Sequence, residues 1–181
     1  MAKPRREGLY GVIAEFGEAQ ALLTAAEAVR EKGYTNIDAY SPFPIHGLAE
    51  AIGFRKSHLS AIVLGGGLLG GAGGFLMCWY ANVISYPLNI GGKPFNSWPA
   101  FIPITFECTI LLAAFAAVFG MLGLNGLPMP YHPVFNVKRF DQASRDKFFL
   151  AIQATDPKFN LESARRLLES LGPREVTDVP W

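Results

Sequence analysis

Glu107 is the one acidic or basic residue inside an otherwise charge-free run, Trp98 to Asn125. At a helical rise of ~1.5 Å per residue it lies nine residues, or ~13 Å, from the start of that run, at a depth where an ionised carboxylate is expensive. Such a group is protonated or partnered. Two chemistries fit it: a proton-relay carboxylate, or a buried structural acid that bonds a neighbouring helix or a basic group on another subunit. The run holds no second acid, His or Arg at comparable depth, so a proton path through this chain alone has one stepping stone.

The other residues whose spacing carries meaning are glycines. Leu59 to Ile84 is free of charge and contains Gly66, Gly70 and Gly74 at steps of four, followed by Cys78, with Gly67 and Gly71 on an adjacent strip. These positions share helix faces without side chains, where another backbone can come close and where packing replaces the hydrophobic driving force that lipid does not supply. The occupant of the strip is either the second apolar segment of this chain or the helices of other proteins. Two adjacent strips argue for more than one neighbour.

Cys78 and Cys108 fall one in each apolar run, outside any Cys-x-x-Cys pattern. They read as reduced thiols or as a disulfide between facing helices. His46, His58 and His132 stand beside the runs, which removes haem ligation across facing apolar helices. No metal site, covalent haem site, catalytic residue set or phosphate-cradling glycine loop is encoded. The net charge of +1 gives no footprint for nucleic acid.

The elements that position these residues follow from composition. Half of the 181 residues are hydrophobic and 17% are charged, an average over an apolar middle and two polar flanks. Either apolar run exceeds the roughly 20 residues that cross a bilayer. The expected division is residues 1–58, a transmembrane hairpin at 59–127 with helices at about 59–84 and 98–125, and residues 128–181. Seven of the 16 Lys and Arg precede the hairpin and eight follow it, Arg55, Lys56, Lys138 and Arg139 among them, while the loop 85–97 carries only Lys93. The positive-inside rule then puts both termini in the cytoplasm and the loop in the periplasm, with the basic pairs at lipid headgroups. Trp79, Tyr80, Tyr86 and Trp98 suit an interfacial aromatic belt, and Ser97 can cap the second helix, with Pro99 in its first turn.

The flanks repeat one pattern. Leu9 to Phe16 reads as a strand, Glu18 to Lys32 as a helix stopped by Gly33, and Asn36 to Tyr40 as a strand; Lys147 to Ala154, Asn160 to Leu171 and Glu175 to Val179 repeat the order. Two strand-helix-strand halves make one ferredoxin-like sheet with helices on one face. Neither half buries enough surface alone, so the expected fold class is α+β: a transmembrane hairpin inserted between two halves of one cytoplasmic domain.

Leu-Tyr-Gly-Val-Ile-Ala-Glu-Phe at 9–16, Tyr-Ser-Pro-Phe-Pro-Ile-His-Gly at 40–47, the long string Tyr86 to Glu107, Leu-Asn-Gly-Leu-Pro-Met-Pro-Tyr-His-Pro-Val-Phe-Asn at 124–136 and Ala-Thr-Asp-Pro-Lys-Phe at 154–159 together resemble the small, two-helix D-type subunit of bacterial alternative complex III. That resemblance implies an accessory, non-catalytic membrane subunit of a quinol-oxidising electron-transfer complex in the bacterial inner membrane. It also implies that haem c and iron-sulfur clusters belong to partner subunits, and that the partners include multihaem cytochrome c and iron-sulfur subunits and large multi-helix quinol-binding membrane subunits. The work left to this chain is assembly and proton access. Two other readings stay open from the residues: a small oligomeric transporter or channel, and a membrane-anchored ligand-sensing module.

Overall fold

The computed structural model describes residues 8–54 and 57–181. The basic start of the chain and the Arg55–Lys56 pair lie outside the described residues. The rest divides into two compact units, one built from the two flanks up to residue 55 and from 130 onward, the other from the apolar middle.

In the flanking unit, strands β1 (Leu9–Phe16), β2 (Ile37–Tyr40), β3 (Phe148–Gln153) and β4 (Glu175–Pro180) form one antiparallel sheet in the order β2-β3-β1-β4. This is the ferredoxin-like arrangement, with β1 and β3 paired at the centre from Gly11 opposite Gln153 to Phe16 opposite Phe148. Helix α1 (Ala19–Glu31) ends where Gly33 takes φ +87°, a left-handed conformation that favours glycine. Helix α5 (Leu161–Ser170) begins at Asn160, whose side-chain oxygen accepts the Ser163 N–H at 3.1 Å, as its sequence position suggests. The two helices press Leu22, Ala25, Ala26, Val29, Ala164 and Leu168 onto the even-numbered face of β1, namely Val12, Ala14 and Phe16.

The opposite face is covered too, which sequence periodicity did not reveal. Ile13, Phe149, Ala151 and Val179 lie beneath Val134, Val137, Phe140 and Ala143. Val134 comes from the 3₁₀ turn Pro133–Asn136, Phe140 and Ala143 from the 3₁₀ turn Phe140–Ser144, and Val137 from the three residues between them. A short helix α2 (Leu48–Ala51) adds Leu48 and Ala51 to the first core.

Asp156 joins the halves by hydrogen bonds rather than apolar contact. It is 3% exposed and accepts the backbone N–H groups of Thr35 (2.6 Å), Asn36 (2.7 Å) and Lys158 (2.8 Å) and the Thr35 hydroxyl (3.1 Å). Burial opposes its ionisation, but these donors outweigh burial and hold its carboxyl below the usual carboxylate range.

The middle unit is a hairpin of α3 (Leu59–Trp79), extended by a π-helical turn over Tyr80–Ser85, and α4 (Trp98–Leu124). Both helices are long and apolar enough to cross a membrane.

Candidate functional site

Seven glycines between 65 and 74 would each cost a helix about 1 kcal/mol against alanine in water, yet α3 is continuous through all of them. In a hydrocarbon surrounding, helical hydrogen bonding satisfies every backbone group, and glycine then contributes closeness. A Cβ on Gly66 would come within 2.5 Å of the Ala116 methyl and 2.8 Å of the Leu112 carbonyl oxygen. One on Gly74 would sit 2.9 Å from Cys108 Cβ, and one on Gly70 would run into the Cys108 carbonyl oxygen. From the other side, a Cβ on Gly120 would lie 3.1 Å from Ile62 Cγ2.

Of the two occupants considered for the strip of Gly66, Gly70 and Gly74, α4 of the same chain is the one that fills it. The 12 residues between the π-helical turn and α4 keep that helix at high effective concentration beside the strip. The second strip also leans on α4, though less tightly: a Cβ built on Gly71 would lie 2.9 Å from Thr109 Oγ1, and one on Gly67 would lie 3.7 Å from the Ala113 methyl. Gly67 and Gly71 floor an open apolar groove of about 570 Å³, walled by Leu64, Leu68 and Ala113.

Cys108, Leu112 and Ala116 define the inward side of α4. At 100° per residue Glu107 points roughly 150° away from that side, along with Pro103, Ala114 and Val118. The carboxylate is exposed, and among the described residues it has no hydrogen bond or ion pair. Sequence spacing places it at depth within the apolar run but gives no direction. The helix register supplies that direction, and it is outward.

The remaining polar atoms of the hairpin mostly satisfy its own backbone. Thr109 donates to the Thr105 carbonyl at 2.7 Å, and the Asn82 amide donates to the Cys78 carbonyl at 2.8 Å beside the π-helical turn. The Thr105 hydroxyl is enclosed without a partner among the described residues. Ser97 precedes α4 but makes no side-chain cap, a departure from its expected role; its φ of −86° and ψ of 64° are not the extended geometry that aims a capping oxygen at the first turn. Cys78 and Cys108 are both free thiols, the first of them buried. Tyr80, Tyr86 and Trp98 are exposed near the loop end, and Trp79 is half-buried.

Besides the Asp156 network, two polar clusters of the flanking unit bear on function. His132 accepts the Val134 N–H at Nδ1 (3.4 Å), which assigns the ring proton to Nε2, 3.4 Å from the Tyr10 hydroxyl. Tyr10 donates onward to Asp38 Oδ2 at 3.3 Å, where the Gln153 amide also donates. Burial, followed by neighbouring Tyr40 and Asp38, pushes the Tyr10 phenol well above its ordinary value, so it remains a donor.

The second cluster involves the Lys138–Arg139 pair. The Arg139 guanidinium, half exposed, lies 3.2 Å from Glu15, a β1 carboxylate that is 3% exposed, and 3.9 Å from Glu175. A buried carboxylate left without a cation is strongly destabilising, and this arginine supplies the cation from the surface. Only Lys138 of the pair remains fully outward, exposed and without an ion partner among the described residues.

Among the described residues no group of three or more His, Cys, Asp or Glu side chains is placed to hold a metal ion. The model of a protein family described as "Alternative complex III, ActD subunit" matches residues 10–178. No curated protein matches the chain.

Proposed function

The chain belongs to the ActD subunit family of alternative complex III, and from that premise we propose that its hairpin is a pre-assembled membrane wedge whose outward faces are completed by larger subunits. It is an accessory, non-catalytic membrane subunit of that electron-transfer complex. Residues 1–58 and 128–181 form the cytoplasmic domain and residues 59–127 the membrane anchor, with both termini in the cytoplasm of a bacterium and the 85–97 loop in the periplasm. The distribution of Lys and Arg supports that orientation.

The observation that carries the reading is Glu107. An ionised carboxylate in the apolar span, aimed away from α3, the other helix of the hairpin, is incompatible with a lipid-only surrounding, so a neighbouring helix presents a donor or a cation there. The groove over Gly67 and Gly71 gives a second contact on a different flank, shaped for a close helix. The neighbours are the large multi-helix quinol-binding subunits, and the haem c and iron-sulfur clusters sit in the cytochrome and iron-sulfur subunits rather than in this chain.

Glu107→Gln and Glu107→Leu in the assembled complex test this. Gln keeps the hydrogen bond to a neighbour; Leu removes it. Retention of the subunit and of quinol oxidation in Gln, with loss of the subunit on detergent purification in Leu, supports a docking carboxylate. Full assembly of both variants, with proton coupling abolished, would replace docking by a role in proton access. Full assembly and full coupling in both would remove Glu107 from either role.

A further inference from the structure

Both connections to the apolar middle leave the flanking unit at one end of its sheet, where β1 and β2 begin and β3 and β4 finish. Phe54, the last described residue before the first connection, borders a cavity of about 320 Å³ with Thr35, Asn36 and Gln153. On the return, the His132 ring packs 5.1 Å from Tyr10 near the start of β1, so Tyr131 stands at the same end. Trp181 joins them: its ring lies 5.8 Å from Tyr10, and its backbone N–H donates to the Gly8 carbonyl at 3.2 Å. Phe54 is 69% exposed, Tyr131 51% and Trp181 43%.

Three large exposed rings gathered at one end make a patch rather than a scatter of single apolar side chains. The acids nearby are turned inward, Asp38 onto the Tyr10 hydroxyl and the Gln153 amide, and Asp156 onto Thr35, Asn36 and Lys158. Lys32 and Lys158 are exposed at the helix-side margin of the patch, with Glu31 beside them. Phe43 and Phe135 are exposed toward the other end of the sheet, but Arg139, Lys147, Arg174 and Glu175 share that end. Chain length distinguishes the two ends further. Five steps separate Phe54 from Leu59 and seven separate Leu124 from Tyr131, so at ~3.5 Å per residue neither exit lies more than ~25 Å from an end of the apolar span.

Resting on the reading of the hairpin as a membrane anchor, we propose that this end of the flanking domain is a membrane-interface seat. Phe54, Tyr131 and Trp181 enter the headgroup layer, and Lys32 and Lys158 meet its phosphates. Tyrosine and tryptophan suit that layer because each ring is apolar in its body and polar at its tip. Lys138, toward the other end, stays in water.

The test uses the full chain in nanodiscs of phosphatidylcholine and phosphatidylglycerol. Single nitroxide labels are placed through Phe54→Cys, Tyr131→Cys, Trp181→Cys, Lys138→Cys and Leu68→Cys, with Cys78 and Cys108 replaced by alanine. All five labelled positions are exposed, so the labels leave the core untouched. The label at 138 should broaden with a water-soluble nickel chelate, whereas those at 54, 131 and 181 should lose that broadening and respond to oxygen, as a group among lipids does. Leu68 tests the premise: nickel access there would overturn the membrane reading itself. Nickel access at 54, 131 and 181 with Leu68 protected would overturn the seat alone. Access in nanodiscs followed by exclusion of both reagents in the assembled complex would also overturn it, by assigning the patch to a partner subunit.

Discussion

Leu150 and Leu68 carry the same side chain and meet opposite fates: the first is 0% exposed in the middle of the sheet, the second 66% exposed on the hairpin. In the flanking unit large apolar groups such as Phe16, Phe149 and Leu22 are driven together by water, and the few buried charges are each engaged by a partner. In the hairpin the inner seam is built around glycine, alanine and cysteine, with Phe101 buried at its loop end and Leu112 and Ile62 against the glycines, while most of the leucine, isoleucine and phenylalanine covers the outside. The difference teaches that two solvents wrote this sequence. Where water is the alternative, bulk goes inward; where lipid is, bulk is neutral and smallness goes inward.

The sharpest way to break that contrast is to add bulk to the seam. Gly70→Leu should separate α3 from α4 and strip the subunit from the purified complex, whereas Gly67→Leu, with its nearest neighbour 3.7 Å from a built Cβ, should leave the hairpin paired. Cysteine crosslinking between α3 and α4 in membranes reads the difference. Removing bulk should show the reverse asymmetry. Phe149→Ala should destabilise the flanking unit by about 3–5 kcal/mol in denaturant titration, and Leu68→Ala should leave that transition unchanged.

The polar staples of the water-facing unit give smaller effects. Asp156→Asn should cost about 1.5–3 kcal/mol at neutral pH, the worth of hydrogen bonds to a charged acceptor. Because the folded carboxyl is held below its unfolded value, its contribution is fully present above the unfolded pKa, ~3.9, and is lost as pH falls through the lower folded one. The wild-type acid limb should therefore be steeper than that of Asp156→Asn when unfolding is followed against pH. Asn160→Ala should cost about 1 kcal/mol through loss of the α5 cap.

The strands and long helices were legible because each repeats a period: Leu22, Ala26 and Val29 fall on one helical face, and β1 and β3 are apolar nearly throughout. That continuous apolarity was itself a sign that both sheet faces needed cover. The cover escaped because the segment Pro133–Ser144 has no period and is punctuated by polar residues. The glycine spacing identified a seam but not its occupant, since four-residue steps look the same to an internal helix and to a foreign one. Glu107 was conspicuous by charge, yet its outward aim depends on which side of α4 meets α3. Glu15 and Arg139 are 124 positions apart, and nothing local couples them.

The order β2-β3-β1-β4 places a strand made before the hairpin between two made after it. A nascent chain that threaded the bilayer only once would leave β1 and its hydrogen-bonding partners in different compartments, and no sheet could close. Closure of this sheet is therefore tied to the hairpin's topology: the domain completes itself only when an even number of crossings has returned the polypeptide to the side it left.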